Sequence, residues 1–170
     1  MKQKVFFFLL ISATFLAACS QDLTVDMSKT VTDTNAPPVN LAAEVARAKT
    51  ENKLLLLEFG SSDSCPPCVL FQQKVFSAPE FKAYEKSNLV FVRLDYPLNH
   101  KLRPDTEATN ILLERQFDIV PYPTFIALDR DEKEFCRWPT DADLNSGTEM
   151  RLFDPNNFIS LLESVKAKQK

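Results

Sequence analysis

The sequence LLLLEFGSSDSCPPCVLF, residues 54–71, passes from an apolar run through a short polar turn to two cysteines three positions apart. Four leucines followed by Glu58 and Phe59 have the profile of a strand that is buried on both faces. The segment that starts at PPC has helical apolar spacing, and proline is tolerated in a first helical turn because its missing N–H is not needed there. The stretch therefore predicts a strand, a turn and a helix, with Cys65 where the helix begins.

The position of the cysteine pair predicts unequal roles for its two thiols. The first turn of a helix presents unpaired N–H groups and the positive end of the helix dipole, and both favour an anion. We therefore expect a lowered pKa for Cys65, which makes it the attacking thiolate. Cys68, one turn further and more enclosed, is expected to resolve the mixed disulfide.

Two other readings of the pair remain open at this point. A purely structural disulfide would close a very small loop and would constrain little unfolded-chain entropy. Zinc could take Cys65, Cys68, Cys136 and His100 as ligands, but a second CxxC is absent and His100 lies in a polar loop, where we expect it to be solvated, so we predict no metal site. Haem attachment is excluded because Val69, and not histidine, follows the second cysteine.

The N-terminal residues 1–18 have the layout of an export signal, with a basic start, an apolar run and small residues before Cys19. The apolar run is shorter than the roughly 20 residues of a transmembrane helix. The sequence LAAC at residues 16–19 resembles the lipobox of bacterial lipoproteins, which implies cleavage before Cys19 and a lipid on its thiol. Ser20 then implies the outer membrane, facing the periplasm, if the organism is Gram-negative. An ordinary secretory signal is the alternative.

The composition argues against nucleic-acid binding and against a cofactor held by a phosphate-cradling loop. The chain has 20 basic and 23 acidic residues without basic runs, so it has no electrostatic footprint for nucleic acid. Gly60 and Gly147 are its two glycines, and phosphate-cradling loops are absent, so no cofactor is expected. If Cys19 carries lipid, three thiols remain, and an odd number cannot all pair within the chain.

The chain divides into a signal, residues 1–18, a polar tether with the lipidated cysteine, residues 19–40, and one domain, residues 41–170. Apolar periodicity in the domain predicts the element order α-β-α-β-α-β-β-α. Strands separated by helices predict parallel pairs with right-handed crossovers, and the final hairpin, TFIALD to EFCRW, predicts an antiparallel edge. The expected fold is a mixed sheet with helices on both faces.

A strand followed by SCPPC and a helix, with DIVPYPTF some fifty residues later, resembles the thioredoxin superfamily. Within it, the chain looks most like exported thioredoxin-like thiol–disulfide oxidoreductases, the Dsb-type bacterial lipoproteins. The resemblance covers residues 41–138 and implies an α/β thioredoxin fold. It also implies that Pro123 is a cis-proline facing the dithiol. Tyr122 and Pro123 would then offer backbone hydrogen bonds to an extended substrate segment.

The same resemblance implies a role for two charged residues. Glu58 matches the buried acid under the active site, which relays the proton of Cys68 and has a pKa raised by burial. Arg93 occupies the position of a lysine near that acid and is expected to pair with Glu58. Ser64 stands where many relatives have tryptophan, which predicts a more polar surface beside Cys65.

The function expected from this resemblance is thiol–disulfide exchange in the periplasm or cell envelope, with exported disulfide-containing proteins as substrates. The chain has no room for the large helical insertion of strong oxidants, which favours a reductase or isomerase. A reductase there needs a membrane electron-transfer partner. The alternative function is a non-catalytic thioredoxin-fold binding module or a soft-metal delivery protein.

Overall fold

The computed structural model describes residues 33–138 and 148–169. The strands in these ranges are β1 Leu54–Gly60, β2 Leu89–Asp95, β3 Thr124–Leu128 and β4 Glu134–Trp138. The α-helices are α1 Leu41–Glu51, α2 Pro66–Phe71, α3 Pro79–Asn88, α4 Pro104–Gln116 and α5 Pro155–Lys166. A π-helical turn, Gln72–Phe76, continues α2, and a 3₁₀ segment, Thr148–Phe153, precedes α5. The predicted element order is confirmed except between β1 and β2, where two helices, α2 and α3, replace the single predicted one.

The strands form one mixed sheet in the order β2-β1-β3-β4. β1 is parallel to β2 over its whole length, from Leu54 opposite Leu89 to Gly60 opposite Asp95. β3 and β4 form the predicted antiparallel hairpin. The predicted α/β fold with a mixed sheet is therefore confirmed.

One topological prediction is wrong. A helix separates β2 from β3, which predicts a parallel strand, yet β3 is antiparallel to β1. Thr124, the first residue of β3, lies opposite Phe59 near the end of β1, so residues 117–123 deliver the chain to the end of the sheet at which β1 finishes. A helical connection gives a parallel pair only when it returns the chain to the starting end of the sheet. Because β3 runs antiparallel to β1, the segment before β3 lies at the same end of the sheet as the cysteine turn.

β1 contributes to a core on each side of the sheet because successive side chains of a strand point to opposite faces. Leu54 and Leu56 belong to a cluster with residues of α3 and α5, which includes Phe81 and Phe158. The neighbouring leucines of β1 belong to a second cluster with residues of α1 and α4. Every residue of β1 is buried, which confirms the predicted double-sided strand.

The packed chain begins before the predicted domain start. Asn40 caps α1, as predicted, and its side chain accepts a hydrogen bond from the amide of Ala43. Upstream of this cap, the carbonyl of Ala36 accepts a hydrogen bond of 2.7 Å from the hydroxyl of Thr106, and Val39 packs against the second cluster. Part of the predicted tether therefore lies against the domain. The predicted signal, Cys19 and residues 19–32 lie outside the described residues.

Within the two described ranges, none of the helices combines the length and the apolar character that are needed to cross a bilayer.

Candidate active site

Cys65 and Cys68 form a disulfide at the start of α2. Cys65 is the N-cap residue of this helix, and its sulfur accepts a hydrogen bond of 3.2 Å from the amide of Cys68. Pro66 and Pro67 occupy the first turn, where the sequence predicts them. An N–H group directed at Cys65 Sγ stabilises negative charge on that sulfur, so the local geometry agrees with the predicted asymmetry of the pair.

The turn between β1 and Cys65 is fastened to β2. The amide and hydroxyl of Ser62 both donate to Asp95, at 2.8 Å each. The hydroxyls of Ser61 and Ser64 lie 2.5 Å apart, and the amide of Ser64 donates to the hydroxyl of Ser61. This polar turn fixes the backbone that leads into Cys65.

Asp63 in the same turn is hydrogen-bonded to the loop of residues 96–103. Its carboxylate accepts hydrogen bonds from the amides of Leu98, at 2.9 Å, and Asn99, at 2.7 Å. His100 Nδ1 lies 3.0 Å from Asp63 Oδ2. The prediction of a solvated His100 is wrong, because the imidazole is half-buried and held by Asp63. In the described parts of the chain, no three His, Cys, Asp or Glu side chains are grouped as metal ligands.

Glu58 lies directly opposite Arg93 in the β1–β2 register and is almost fully buried, at 3% exposure. Arg93 Nε donates to Glu58 Oε2 at 2.5 Å, which confirms the predicted pair. Burial raises the pKa of Glu58, and the Arg93 guanidinium only partly opposes that rise. Arg93 also donates to Gln72 in the π-helical turn and lies over the ring of Phe76, so the guanidinium is held from several sides.

Gly60 separates the buried acid from the inner cysteine. A Cβ atom at Gly60 would lie 3.2 Å from Cys68 Sγ and 3.3 Å from Glu58 Oε1. The absence of a side chain therefore allows the carboxyl group and the sulfur to approach the same point. Both residues line a cavity of about 170 Å³ that also reaches Asp95, and this is ample room for water.

One signal for this arrangement is present in the sequence. Gly60 is one of only two glycines in the chain and is the last residue of the buried strand β1. Gln72 has no comparable signal, because its contact with Arg93 depends on the π-helical turn.

The Tyr122–Pro123 peptide bond is cis, as the resemblance to the thioredoxin superfamily implies. The Tyr122 ring stacks on Tyr96, with centroids 5.2 Å apart, and its hydroxyl donates to Glu114. Tyr122 and Ser64 line one pocket, so the loop before β3 and the turn before Cys65 are neighbours. The role of Tyr122 and Pro123 in substrate binding stays a prediction.

Cys136 lies elsewhere, on β4 opposite Ala127. It is half-buried and takes no part in the 65–68 disulfide. The arrangement around Cys65 and Cys68 can support thiol–disulfide exchange, because one sulfur lies at a helix start and the other lies beside a buried carboxyl group.

Comparisons with known proteins agree with this geometry. A family model described as thioredoxin-like matches residues 36–129. The chain is 25% identical over 96 residues to a protein named disulfide bond reductase DsbH from Chlamydia pneumoniae, covering 56% of this chain and 58% of that protein. It is 32% identical over 94 residues to the thioredoxin-related protein DsbJ from the same organism, covering 54% of this chain and 26% of that protein.

The chain thus spans only part of the length of these relatives. Among solved structures, one described as a DsbH oxidoreductase superposes with a TM-score of 0.54 at 23% identity, covering 69% of this chain and 85% of that one. This likeness concerns the fold. Since the family model covers more than half of the sequence, the chain belongs to the thioredoxin-like family.

Proposed function

We propose that the protein is a thiol–disulfide oxidoreductase that reduces disulfides of exported proteins. The observation that carries this proposal is the Cys65–Cys68 disulfide at the start of α2, with Glu58 and the inner sulfur facing the same point across Gly60. A purely structural disulfide would not need a buried carboxyl group beside one of its sulfurs, and burying that group is costly.

The reaction begins with the reduced protein. The Cys65 thiolate attacks one sulfur of the partner's disulfide, the partner's S–S bond breaks, and its other sulfur leaves as a thiolate that takes a proton from water. Cys65 and the partner are then joined by a mixed disulfide. Because Cys65 caps the helix, its sulfur is the one favoured as the anion.

Cys68 completes the exchange. Glu58 in its carboxylate form takes the proton of the Cys68 thiol, directly or through one water molecule in the shared cavity. The Cys68 thiolate attacks Cys65 Sγ, which breaks the mixed disulfide and closes the 65–68 bond. The partner's second sulfur leaves as a thiolate and is protonated. Two electrons have passed from the protein's dithiol to the partner's disulfide.

The reducing direction is part of the proposal. The name of the DsbH relative, a disulfide bond reductase, supports it. Between the cysteine helix and β2 the chain has only the π-helical turn and α3, which leaves no large helical insertion there. Turnover needs a dithiol donor, and we propose a membrane electron-transfer protein as its source.

The N-terminal sequence supports a proposal for the cellular location. The LAAC sequence supports a lipid anchor at Cys19, in the periplasm and on the outer membrane if the organism is Gram-negative. The polar residues after it would tether the domain to that membrane.

The test is reduction of insulin by the full chain in detergent, with dithiothreitol as the electron source. We expect the protein to accelerate precipitation of the insulin B chain and a Cys65→Ser variant to match the rate of dithiothreitol alone. If the two proteins give the same rate, the enzyme proposal fails.

A further inference from the structure

The π-helical turn after α2 holds the guanidinium group of Arg93 in two ways. Its first residue, Gln72, accepts a hydrogen bond from Arg93 through Oε1. Its last residue, Phe76, lies under the guanidinium, with the ring centroid 5.0 Å from Arg93 Cζ. The amide and the hydroxyl of Ser77 close the turn by donating to the carbonyl of Gln72, at 3.1 Å and 2.7 Å. Turns of this kind are rare and are frequent at functional sites.

Arg93 reaches the buried acid from the surface of the protein. Its side chain is 41% exposed, whereas the side chain of Glu58 is 4% exposed. A long side chain at such a position loses conformational entropy when it is held in one geometry. The charge-assisted bond to Glu58 offsets that loss only while Glu58 is a carboxylate. The contacts of Arg93 with Gln72 and Phe76 do not depend on the charge of Glu58, so they persist when the acid is protonated.

The titratable groups that face Glu58 come from three parts of the chain. β2 supplies Arg93 and Asp95, the segment before α1 supplies Asp33 at the wall of the same cavity, and α2 supplies the sulfur of Cys68. The neighbouring strand β3, with the sequence TFIAL, supplies none. Burial raises the pKa of Glu58 most, the Arg93 guanidinium opposes that rise, and the negative charge of Asp95 adds to it. Displacement of the guanidinium therefore moves the pKa of Glu58 further upward.

We propose that Gln72 is a positioning residue for the resolving step, because it keeps the guanidinium of Arg93 beside Glu58 when the acid is protonated. This inference rests on the proposed function, in which Glu58 takes the proton of Cys68 and then gives it to water. With Gln72 in place, the carboxylate forms again beside a positive charge that is already oriented. Without Gln72, the guanidinium turns towards water, and the carboxylate is less stable in its buried site.

The test is a pH series of the resolving step in the wild type and in Gln72→Met. Methionine is as long and flexible as glutamine, but its thioether is only a weak acceptor. The mixed disulfide with a peptide is formed at low pH and brought to each pH by rapid mixing, and release of the peptide thiol is followed. We expect the midpoint of the resolving rate to move upward by about one pH unit in the variant. Gln72→Ala should move it in the same direction. An unchanged or lowered midpoint in these variants overturns the inference.

Gln73→Met is the matched control. Gln73 is the next residue of the same turn and is not one of the described residues that line the cavity, so its midpoint should equal that of the wild type. The attack of Cys65 on the peptide disulfide should keep its rate in both methionine variants. Equal shifts of the midpoint in Gln72→Met and Gln73→Met overturn the inference, because they would show a general disturbance of the turn.

A double-mutant cycle tests whether Gln72 acts through Arg93. Arg93→Met removes the positive charge, so its midpoint should move upward by more than that of Gln72→Met. In the Arg93→Met background, Gln72→Met should cause no additional shift. An additional shift as large as the one in the wild-type background overturns the inference.

These outcomes separate the inference from the proposed function. If the wild type does not reduce the peptide disulfide, the proposed function fails and the role of Gln72 fails with it. If the wild type reduces the peptide and its resolving rate rises with pH, but Gln72→Met has the same midpoint, only the role of Gln72 fails.

Discussion

The two sulfurs of one disulfide lie in contrasting surroundings. Cys65 follows a polar turn, and Ser64, the residue before it, lines an open pocket together with Tyr122 and the 96–103 loop. Cys68 faces inward, across Gly60, towards the buried carboxyl group of Glu58. The surroundings of Cys65 are therefore suited to binding a partner, and those of Cys68 are suited to proton transfer. Both cysteines are buried, Cys65 at 7% exposure and Cys68 at 3%, so the difference lies in the groups around each sulfur and not in exposure to solvent.

Replacing either cysteine by serine should have the largest effect on disulfide reduction. Cys65→Ser removes the attacking group, so we expect no disulfide reduction above background. Cys68→Ser retains the attacking group and removes the resolving one, so the protein should accumulate as a mixed disulfide through Cys65. Non-reducing gel electrophoresis with a partner peptide measures both results. Equal accumulation of mixed disulfides in the two variants would remove the assigned roles.

Glu58→Gln should affect only the step that Cys68 carries out. The resolving step should slow by about a hundredfold, while the attack by Cys65 keeps its rate. Because burial raises the pKa of Glu58, its carboxylate becomes available as a base only at a pH above the ordinary range of a glutamate. The wild-type resolving rate should therefore rise with pH through this pKa, and the variant should lack that rise.

Rapid mixing of the preformed mixed disulfide across a pH series measures this step. Glu80→Gln, at an exposed position of the first turn of α3, is the matched control and should keep the wild-type profile. If Glu58→Gln and Glu80→Gln have the same profile as the wild type, Glu58 is not the base.

Gly60→Ala tests the surroundings of Cys68 with a smaller change, because it alters only the space between its sulfur and Glu58. The added methyl group would lie 3.2 Å from Cys68 Sγ and 3.3 Å from Glu58 Oε1, so these atoms must move apart. We expect resolution to slow several-fold and the free energy of unfolding to fall by about 1–3 kcal/mol, as in other overpacked sites. The rate of the Cys65 attack, measured in a Cys68→Ser background, should be the same with glycine or alanine. A slower attack would mean that the methyl group disturbs the whole turn.

The smallest expected effect is the pH dependence that Glu58 gives to the free energy of unfolding. A carboxyl group whose pKa is raised on folding contributes most stability below its unfolded value, near 4.5, and loses that contribution as pH rises through its folded value. Wild-type protein should therefore lose stability relative to Glu58→Gln as the pH increases. Urea unfolding of the two oxidised proteins at pH 4 and pH 8 measures the difference. A wild type that gains stability over Glu58→Gln between these pH values would show that Arg93 outweighs burial.

Local features of the active site could be predicted from the sequence. The strand, turn and helix around Cys65 follow from apolar spacing and proline positions, which act over a few residues. The cis bond before Pro123 and the pair of Glu58 with Arg93 follow from the resemblance to a known family. These features depend on short segments or on a shared fold.

Contacts between distant segments could not be predicted in this way. His100 was expected in solvent because its neighbours are polar, yet Asp63, from another turn, holds its ring. The antiparallel direction of β3 depends on the path of residues 117–123 at the end of the sheet, which apolar periodicity does not encode. The gap at Gly60 matters only because Cys68 and Glu58 approach it from different elements.

The most direct test of the unequal pair is the alkylation of the fully reduced protein. Iodoacetamide is added at pH 7 for short times, and fragment-ion mass spectrometry assigns the label to one sulfur or the other. We expect Cys65 to be labelled at least about tenfold faster than Cys68, because the helix start favours its thiolate and Cys68 faces the core. Equal labelling of the two sulfurs, or faster labelling of Cys68, would contradict it.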